Sequence, residues 1–354
     1  MKKRIRIVKI VIILVACLIF TLFNILASII YSQAFGRVEG FPKNEFTTYI
    51  TWEEIDQGRY SREEVNFLSG KNKLQGFIYG GSNSRGLVVI SQGLGGTADD
   101  YFSMIMYFVD SGWRVFAFNN TGVSGSEGKS VRGLTQSLLD LDAALTFIKN
   151  RNGFNSLPIM LAGHSWGGYA VCSVLNYGHH DIKAVVSFAG FNKGSEVMTE
   201  VGVAEGGKSF YIVSPQFWAI EKIMFGDAAK LTAVDGINKS GIPVMIVQSS
   251  NDHVIPAGTT SIYAHRLEIA NPNAEIIFRD GEDAAGHEFV FCSKDQKMYL
   301  IETLKSWEAY KAGHSNASKY KWAEEINFDK ALANELDADL MARIDRFFSA
   351  AVKK

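Results

Sequence analysis

The sequence predicts an α/β domain, a mostly parallel sheet with helices on both faces and an inserted helical cap, preceded by one transmembrane helix. Three observations carry this reading. Short, continuous apolar runs alternate with helix-length segments from about residue 63 onward. One apolar run near the N-terminus, Ile10 to Tyr31, is far longer than any strand needs. About fifty residues separate two consecutive strand-like runs, between Phe191 and Gly241, which is too long for a simple crossover. One such domain with insertions fills the 354 residues.

The N-terminal run follows a basic cluster, Lys2, Lys3, Arg4, Arg6 and Lys9, and carries no charge. Roughly 22 helical residues span about 33 Å, enough to cross a bilayer core. The basic residues precede the span, so the expected topology has a cytoplasmic tail (1–9), a membrane helix (10–31) and everything later outside the membrane. A cleaved secretory signal is the main alternative, but its apolar stretch is usually only about 7–15 residues long. Residues 32–62 read as a tether and lead-in, and 63–354 as the folded domain.

The elements of that domain follow in order. Glu64–Leu68 and Leu74–Tyr79 read as a hairpin turned by Ser69-Gly70-Lys71-Asn72. Gly86–Ser91, Trp113–Phe118, Leu157–Ala162, Ala184–Ala189, Pro243–Gln248 and Glu275–Phe278 are short apolar runs, as expected of strands covered on both faces. Between them Thr97–Ser111, Leu134–Asn150, Gly167–Tyr177 and Thr259–Ile269 read as helices. The second carries Leu138, Leu141, Leu145 and Ile148 as a stripe. Asp295–Ala312 is a further helix. Leu332, Leu336, Leu340, Ile344 and Phe348 recur every four residues, which predicts a terminal helix lying on the sheet.

Composition excludes several functions. With 36 basic and 37 acidic residues, the chain has no global field for nucleic acid. Three cysteines cannot build a disulfide framework; Cys172 and Cys292 read as buried thiols. The sequence has no H-E-x-x-H motif and no nucleotide fingerprint, so neither metal nor cofactor is expected.

In a parallel sheet of this kind, chemistry gathers beyond the carboxyl ends of the strands. Gly163-His164-Ser165-Trp166-Gly167-Gly168 stands at one such end and is the only G-x-S-x-G in the chain. It closes a predicted strand and opens a predicted helix, the strand–turn–helix setting that exposes a serine Oγ. The flanking glycines let neighbouring backbone pass close by. Helix-start N–H groups, with that of Trp166 first, would face an anion formed at Ser165.

On these residues the chain resembles the α/β-hydrolases of the serine type, near the monoacylglycerol-lipase and serine-aminopeptidase-like branch. The resemblance covers about residues 63–310. It implies partners in the order serine, acid, histidine. Asn251-Asp252-His253-Val254-Ile255-Pro256, after a late strand, is similar to the family's acid segment and implies Asp252. Gly286-His287, in the loop after the last strand, matches its G-H pair and implies His287. The other histidines, His164, His179, His180, His253, His265 and His314, read as surface or packing residues. Gln92-Gly93-Leu94-Gly95-Gly96 resembles the family's His-Gly-x-Gly-Gly loop, with Gln92 in place of the histidine. It implies the Leu94 N–H as second oxyanion donor. Asn120–Gly128 resembles a Gly/Ser loop of structural role.

The implied mechanism is acyl transfer. His287 takes the proton of Ser165 as Oγ attacks a carbonyl, Asp252 orients the imidazole, and water cleaves the acyl-enzyme. The inserted cap, about 191–241, is apolar and includes Phe217 and Trp218. These two residues and Gln92 are the expected substrate contacts, and a lipid-like or small acyl ester the expected substrate. A peptidase or amidase on the same fold, and a non-catalytic ligand-binding relative, are the alternatives. Membrane lipid around the N-terminal helix is the other expected partner.

Overall fold

The computed structural model describes residues 2–40, 46–154, 156–281 and 284–353. Its centre is an eight-stranded sheet: β1 (Arg62–Ser69), β2 (Asn72–Tyr79), β3 (Leu87–Ser91), β4 (Arg114–Phe118), β5 (Ile159–His164), β6 (Ile182–Phe188), β7 (Val244–Ser249) and β8 (Ala274–Arg279). The spatial order is β1-β2-β4-β3-β5-β6-β7-β8. β1 and β2 form the antiparallel hairpin, with Ser69 opposite Asn72, and β2 is antiparallel to β4. All remaining pairs are parallel. β3, β5 and β7 are buried at every position, which explains the apolar runs that make up most of each, ahead of the polar ends Ser91, His164 and Gln248-Ser249. Register sets the site: Ser91 of β3 lies level with Gly163 of β5, and Gly163 with Ser187 of β6.

Helices cover both faces. On one side lie α3 (Gln136–Lys149), α4 (Trp166–Ser173) and α7 (Ala233–Ser240). Leu138, Leu141 and Leu145 of α3 share a core with Val89, Leu161 and Val185 of the sheet. On the other side α2 (Phe102–Asp110) and α11 (Ala338–Val352) bring Phe102, Ile105, Phe108, Leu340, Ile344 and Phe348 against Val88, Ile90 and Val186. Burying each of these large side chains contributes about 1.5–3 kcal/mol.

The N-terminal helix α1 (Lys2–Ala34) is long and apolar enough to cross a membrane, by length and composition, as signal sequences also are. Most of its apolar side chains are exposed, but Ala27 and Tyr31 are buried. They pack at α6 (Ser214–Phe225) of the cap, where the Tyr31 ring lies 5.6 Å from that of Phe217.

Four expectations change. The described part of the 32–62 tether is held to the domain. Gly36 and Val38 bridge to Ser130 and Val123, and the Arg37 guanidinium donates to the carbonyls of Ser126 and Gly128 at 3.0 and 2.9 Å; residues 41–45 lie outside the described residues. Thr259–Ile269 is only a 3₁₀ segment, Ile262–Glu268, broken at His265. Ile262 is its one buried residue, so no apolar stripe exists to lengthen it. The terminal stripe is interrupted. After α8 (Lys294–Gly313) and α9 (Lys319–Glu325), Leu332 belongs to the one-turn α10 (Lys330–Ala333), and Asp337 caps α11 by accepting from the Leu340 N–H, which leaves Leu336 between the helices, in an isolated bridge to Cys292. Finally, α7 packs against α4. It is therefore a crossover helix, and the inserted cap reduces to α5 (Gly194–Gly206), α6 and the 3₁₀ turns up to Lys230.

Candidate active site

Ser165 stands between β5 and α4 at φ 55°, ψ −112°, a backbone conformation that costs a non-glycine residue about 1–3 kcal/mol. The surroundings enforce it. A Cβ on Gly163 would lie 2.3 Å from the Gly167 carbonyl oxygen, and one on Gly167 only 2.0 Å from that of Ser91. These two glycines let β3, β5 and α4 close on one another. The Ser165 N–H is fixed to the Phe188 carbonyl at 2.8 Å.

Two loops reach this serine. From the end of β7, Asp252 is buried and its Oδ1 accepts the N–H groups of Val254 (3.0 Å) and Ile255 (2.8 Å). Its Oδ2 faces His287 Nδ1 at 2.8 Å. From beyond β8, His287 places Nε2 2.7 Å from Ser165 Oγ. With the carboxylate accepting from Nδ1–H, Nε2 is left to accept the serine proton. Glu282 and Asp283 of the loop before His287 lie outside the described residues.

No curated protein sequence matches the chain. The family model for serine aminopeptidases of the S33 type matches residues 82–214. Among solved structures, the chain is similar to the Pyrococcus furiosus esterase Pf2001 in two crystal forms. One gives a TM-score of 0.54 at 15% identity, covering 82% of this chain and 98% of that one. The other gives 0.52 at 17% identity, covering 78% and 97%.

The chain has the α/β-hydrolase fold.

Behind Ser165, His287 and Asp252 lies a buried polar relay. The Gly93 N–H donates to Tyr101 Oη at 2.8 Å, so the tyrosine proton is free for His164 Nδ1 at 2.9 Å. That forces the His164 Nε2–H tautomer, which donates to the His287 carbonyl at 3.0 Å. Burial, helped by the nearby His287, pushes the His164 pKa down to about 3, so the ring is neutral. The relay ties the loop at Gly93 to the loop at His287. Gln248, at the end of β7, donates to Asp252 Oδ2 at 3.2 Å and to the Ile255 carbonyl at 3.1 Å.

Ser165 opens into a cavity of about 390 Å³. Leu94, Trp166 and His287 line it at the Ser165 end, and Leu134, Phe191 and Val197 give it an apolar wall. The three expected substrate contacts fall outside that lining. Gln92 is buried and braces its loop by donating to the Gly96 carbonyl at 2.7 Å. Phe217 is buried between Tyr31 and Phe210. Trp218 is exposed and borders a separate surface groove. An apolar cap helix has a buried face and an outer face, and composition does not say which residue faces the serine.

Sequence reasoning missed Tyr101, His164, Gln248 and Glu221. Gln248 and His164 were visible as polar residues at the ends of apolar strands. Glu221 was visible as the one acid in α6. Buried, it accepts from Tyr31 Oη (2.6 Å), the Leu134 N–H (2.9 Å) and Thr135 Oγ1 (2.6 Å). The Leu134 carbonyl in turn accepts from the Trp166 indole at 2.6 Å. The end of α1 is thereby joined through the cap to the cavity wall. Among the described residues, one set of three His and carboxylate groups has metal-ligand spacing: Asp142, His179 and His180, away from Ser165.

Proposed function

We propose that this protein is a membrane-anchored serine hydrolase that cleaves a carboxylic ester through an acyl-enzyme. The observation that carries the reading is the continuous hydrogen-bonded chain from Asp252 through His287 to Ser165, at 2.8 and 2.7 Å. His287 serves as the base that takes the Ser165 proton, a contribution of typically 10²–10⁴-fold. Asp252 holds the tautomer and stabilises the imidazolium. The N–H groups of Trp166 and Leu94 receive the oxyanion; loss of one such donor costs about 10²–10³-fold. The apolar wall at Leu134, Phe191 and Val197 favours a lipid-like or aliphatic acyl group. Labelling with a fluorophosphonate probe tests the reading: wild type reacts, Ser165→Ala and His287→Ala do not. An unlabelled wild type, folded by circular dichroism, overturns it.

A serine peptidase is the second reading, favoured by the family model over residues 82–214. Turnover of aminoacyl nitroanilides above that of p-nitrophenyl esters would select it.

For the anchor, we infer that α1 spans the membrane, stays attached, and leaves the catalytic domain outside the cytoplasm. The buried Tyr31–Glu221 hydrogen bond supports attachment, because cleavage just after it would strip a partner from a buried carboxylate. Protease added to intact cells should degrade the domain; protection there refutes the topology.

A further inference from the structure

The strands of a parallel sheet have two ends, and the second end also gathers reactive groups. His179 and His180 immediately precede β6, so they sit at the strand-start edge, opposite the edge that carries Ser165. Asp142, on α3, meets them there. His179 Nε2 and His180 Nε2 each lie 2.7 Å from the same oxygen, Asp142 Oδ1, and the three ligand atoms all fall within 4.8 Å of one another.

Consecutive residues usually point their side chains apart. Here the chain turns to bring both imidazoles to one side: Gly178 adopts φ +68°, and the Ile182 N–H closes on the His180 carbonyl at 3.1 Å. The pair is also differently placed. The His180 side chain is 3% exposed and that of His179 52%, so one side of the cluster is built into the protein and the other opens to water. The His179 ring is steadied by stacking on Tyr177, centroids 5.5 Å apart and 16° from parallel.

We propose that Asp142, His179 and His180 form a binding site for one divalent transition-metal ion, with zinc the best match to the ligands. Two imidazole nitrogens and one carboxylate oxygen suit zinc, whereas calcium and magnesium prefer all-oxygen sets. Zinc bonds of about 2.0–2.2 Å place tetrahedral ligand atoms roughly 3.3 Å apart. Each nitrogen therefore needs to draw back from Oδ1 by only about 0.6 Å. On binding, each neutral ring exchanges its Nε2–H for the Nδ1–H tautomer, which frees Nε2 for the ion, and water on the open His179 side completes four-coordination. The site clips α3 to the loop before β6. Its role is to stabilise the fold, at a distance from the chemistry at Ser165, and it does not depend on the hydrolase reading.

The test uses tag-free, full-length protein in detergent, treated with a chelator and then titrated with Zn²⁺ against a chromophoric competitor. One equivalent should bind with a dissociation constant on the order of 10 µM or tighter, and excess Zn²⁺ should raise the thermal midpoint by several degrees. Co²⁺ should give the intense visible bands of a four-coordinate centre. His179→Ala, at the exposed ligand, and Asp142→Asn should each lose the stoichiometric binding and the thermal shift, while fluorophosphonate labelling stays at the wild-type level. Absence of binding at 100 µM Zn²⁺, or wild-type binding by both folded variants, overturns the proposal.

Discussion

The site end of the sheet and the joint between α1 and the cap are each organised around one buried carboxylate. Asp252 takes most of its hydrogen bonds from its own neighbourhood, Gln248, Val254 and Ile255, and only the His287 bond comes from far along the chain, 35 positions away. Glu221 has no such local set: its partners Tyr31, Leu134 and Thr135 are 190, 87 and 86 positions away. The first arrangement is carried by a short segment and is readable as a motif. The second exists only after the chain has folded. The difference also separates roles, since Asp252 is bonded to the His287 imidazole, whereas Glu221 holds α1, the cap and the Leu134 wall together.

Variants at the two carboxylates should therefore fail in different ways. The largest effect belongs to Asp252→Asn, which leaves the fold intact but favours the wrong His287 tautomer. Ester turnover should fall by about 10⁴-fold with little change in KM. A loss below tenfold would remove Asp252 from the mechanism. Glu221→Ala leaves the Leu134 N–H and the Tyr31 and Thr135 hydroxyls without their acceptor. It should cost about 2–5 kcal/mol of stability in denaturant unfolding and raise KM more than it lowers kcat. A pure kcat defect would show that the joint reaches the chemistry itself. Tyr31→Phe removes one charge-assisted bond and should cost about 1.5–3 kcal/mol, measured the same way; an unchanged midpoint would argue against α1 being part of the folded domain.

The relay behind the site makes a pH prediction. His164 titrates near 3 in the folded protein because burial opposes its charge, against about 6.5 in the unfolded chain. Between these values the unfolded state holds more protons, so stability falls as pH drops from 6.5 toward 3, by at most about 1.4 kcal/mol per pH unit from this residue. Asp100 acts in the opposite direction: burial raises its carboxyl to about 6, which favours the folded state as pH falls from there toward the ordinary carboxylate range. Thermal unfolding of wild type and His164→Gln from pH 7.5 to 5 separates the two, the wild type losing stability more steeply. Parallel curves would mean that His164 is charged or exposed. The smallest effect is at the thiols. Burial pushes Cys172 and Cys292 up to about 12, so iodoacetamide should leave both unmodified in the folded protein at pH 8, as mass spectrometry would show.

Much of the fold was legible because a strand covered on both faces is apolar along most of its length. β3, β5 and β7 announced themselves in this way, and their boundaries were displaced by only one or two residues. The three-residue site was legible for a related reason: each member stands at a strand end with a local signature, Gly163 to Gly167, Asn251 to Pro256 and Gly286-His287. The substrate contacts were not. Phe217 and Trp218 are neighbours in α6, yet one is buried beside Tyr31 and the other faces solvent, and helical periodicity could not say which side met the cavity. The terminal stripe misled in the opposite sense. Its four-residue spacing runs through Leu336, but Asn334 and Asp337 end one helix and start the next.

The sequence by itself determined the strand–helix alternation, the long apolar helix ahead of it, and the serine at a turn too tight for side chains on either flank. These are short-range consequences of hydrophobic pattern and backbone sterics. Only the tertiary structure decided what lines the cavity, how His164 links the loop at Gly93 to His287, and that Tyr31 is joined to Glu221 across 190 positions. Hydrogen bonds between distant residues depend on where whole elements pack, and no local spacing encodes that.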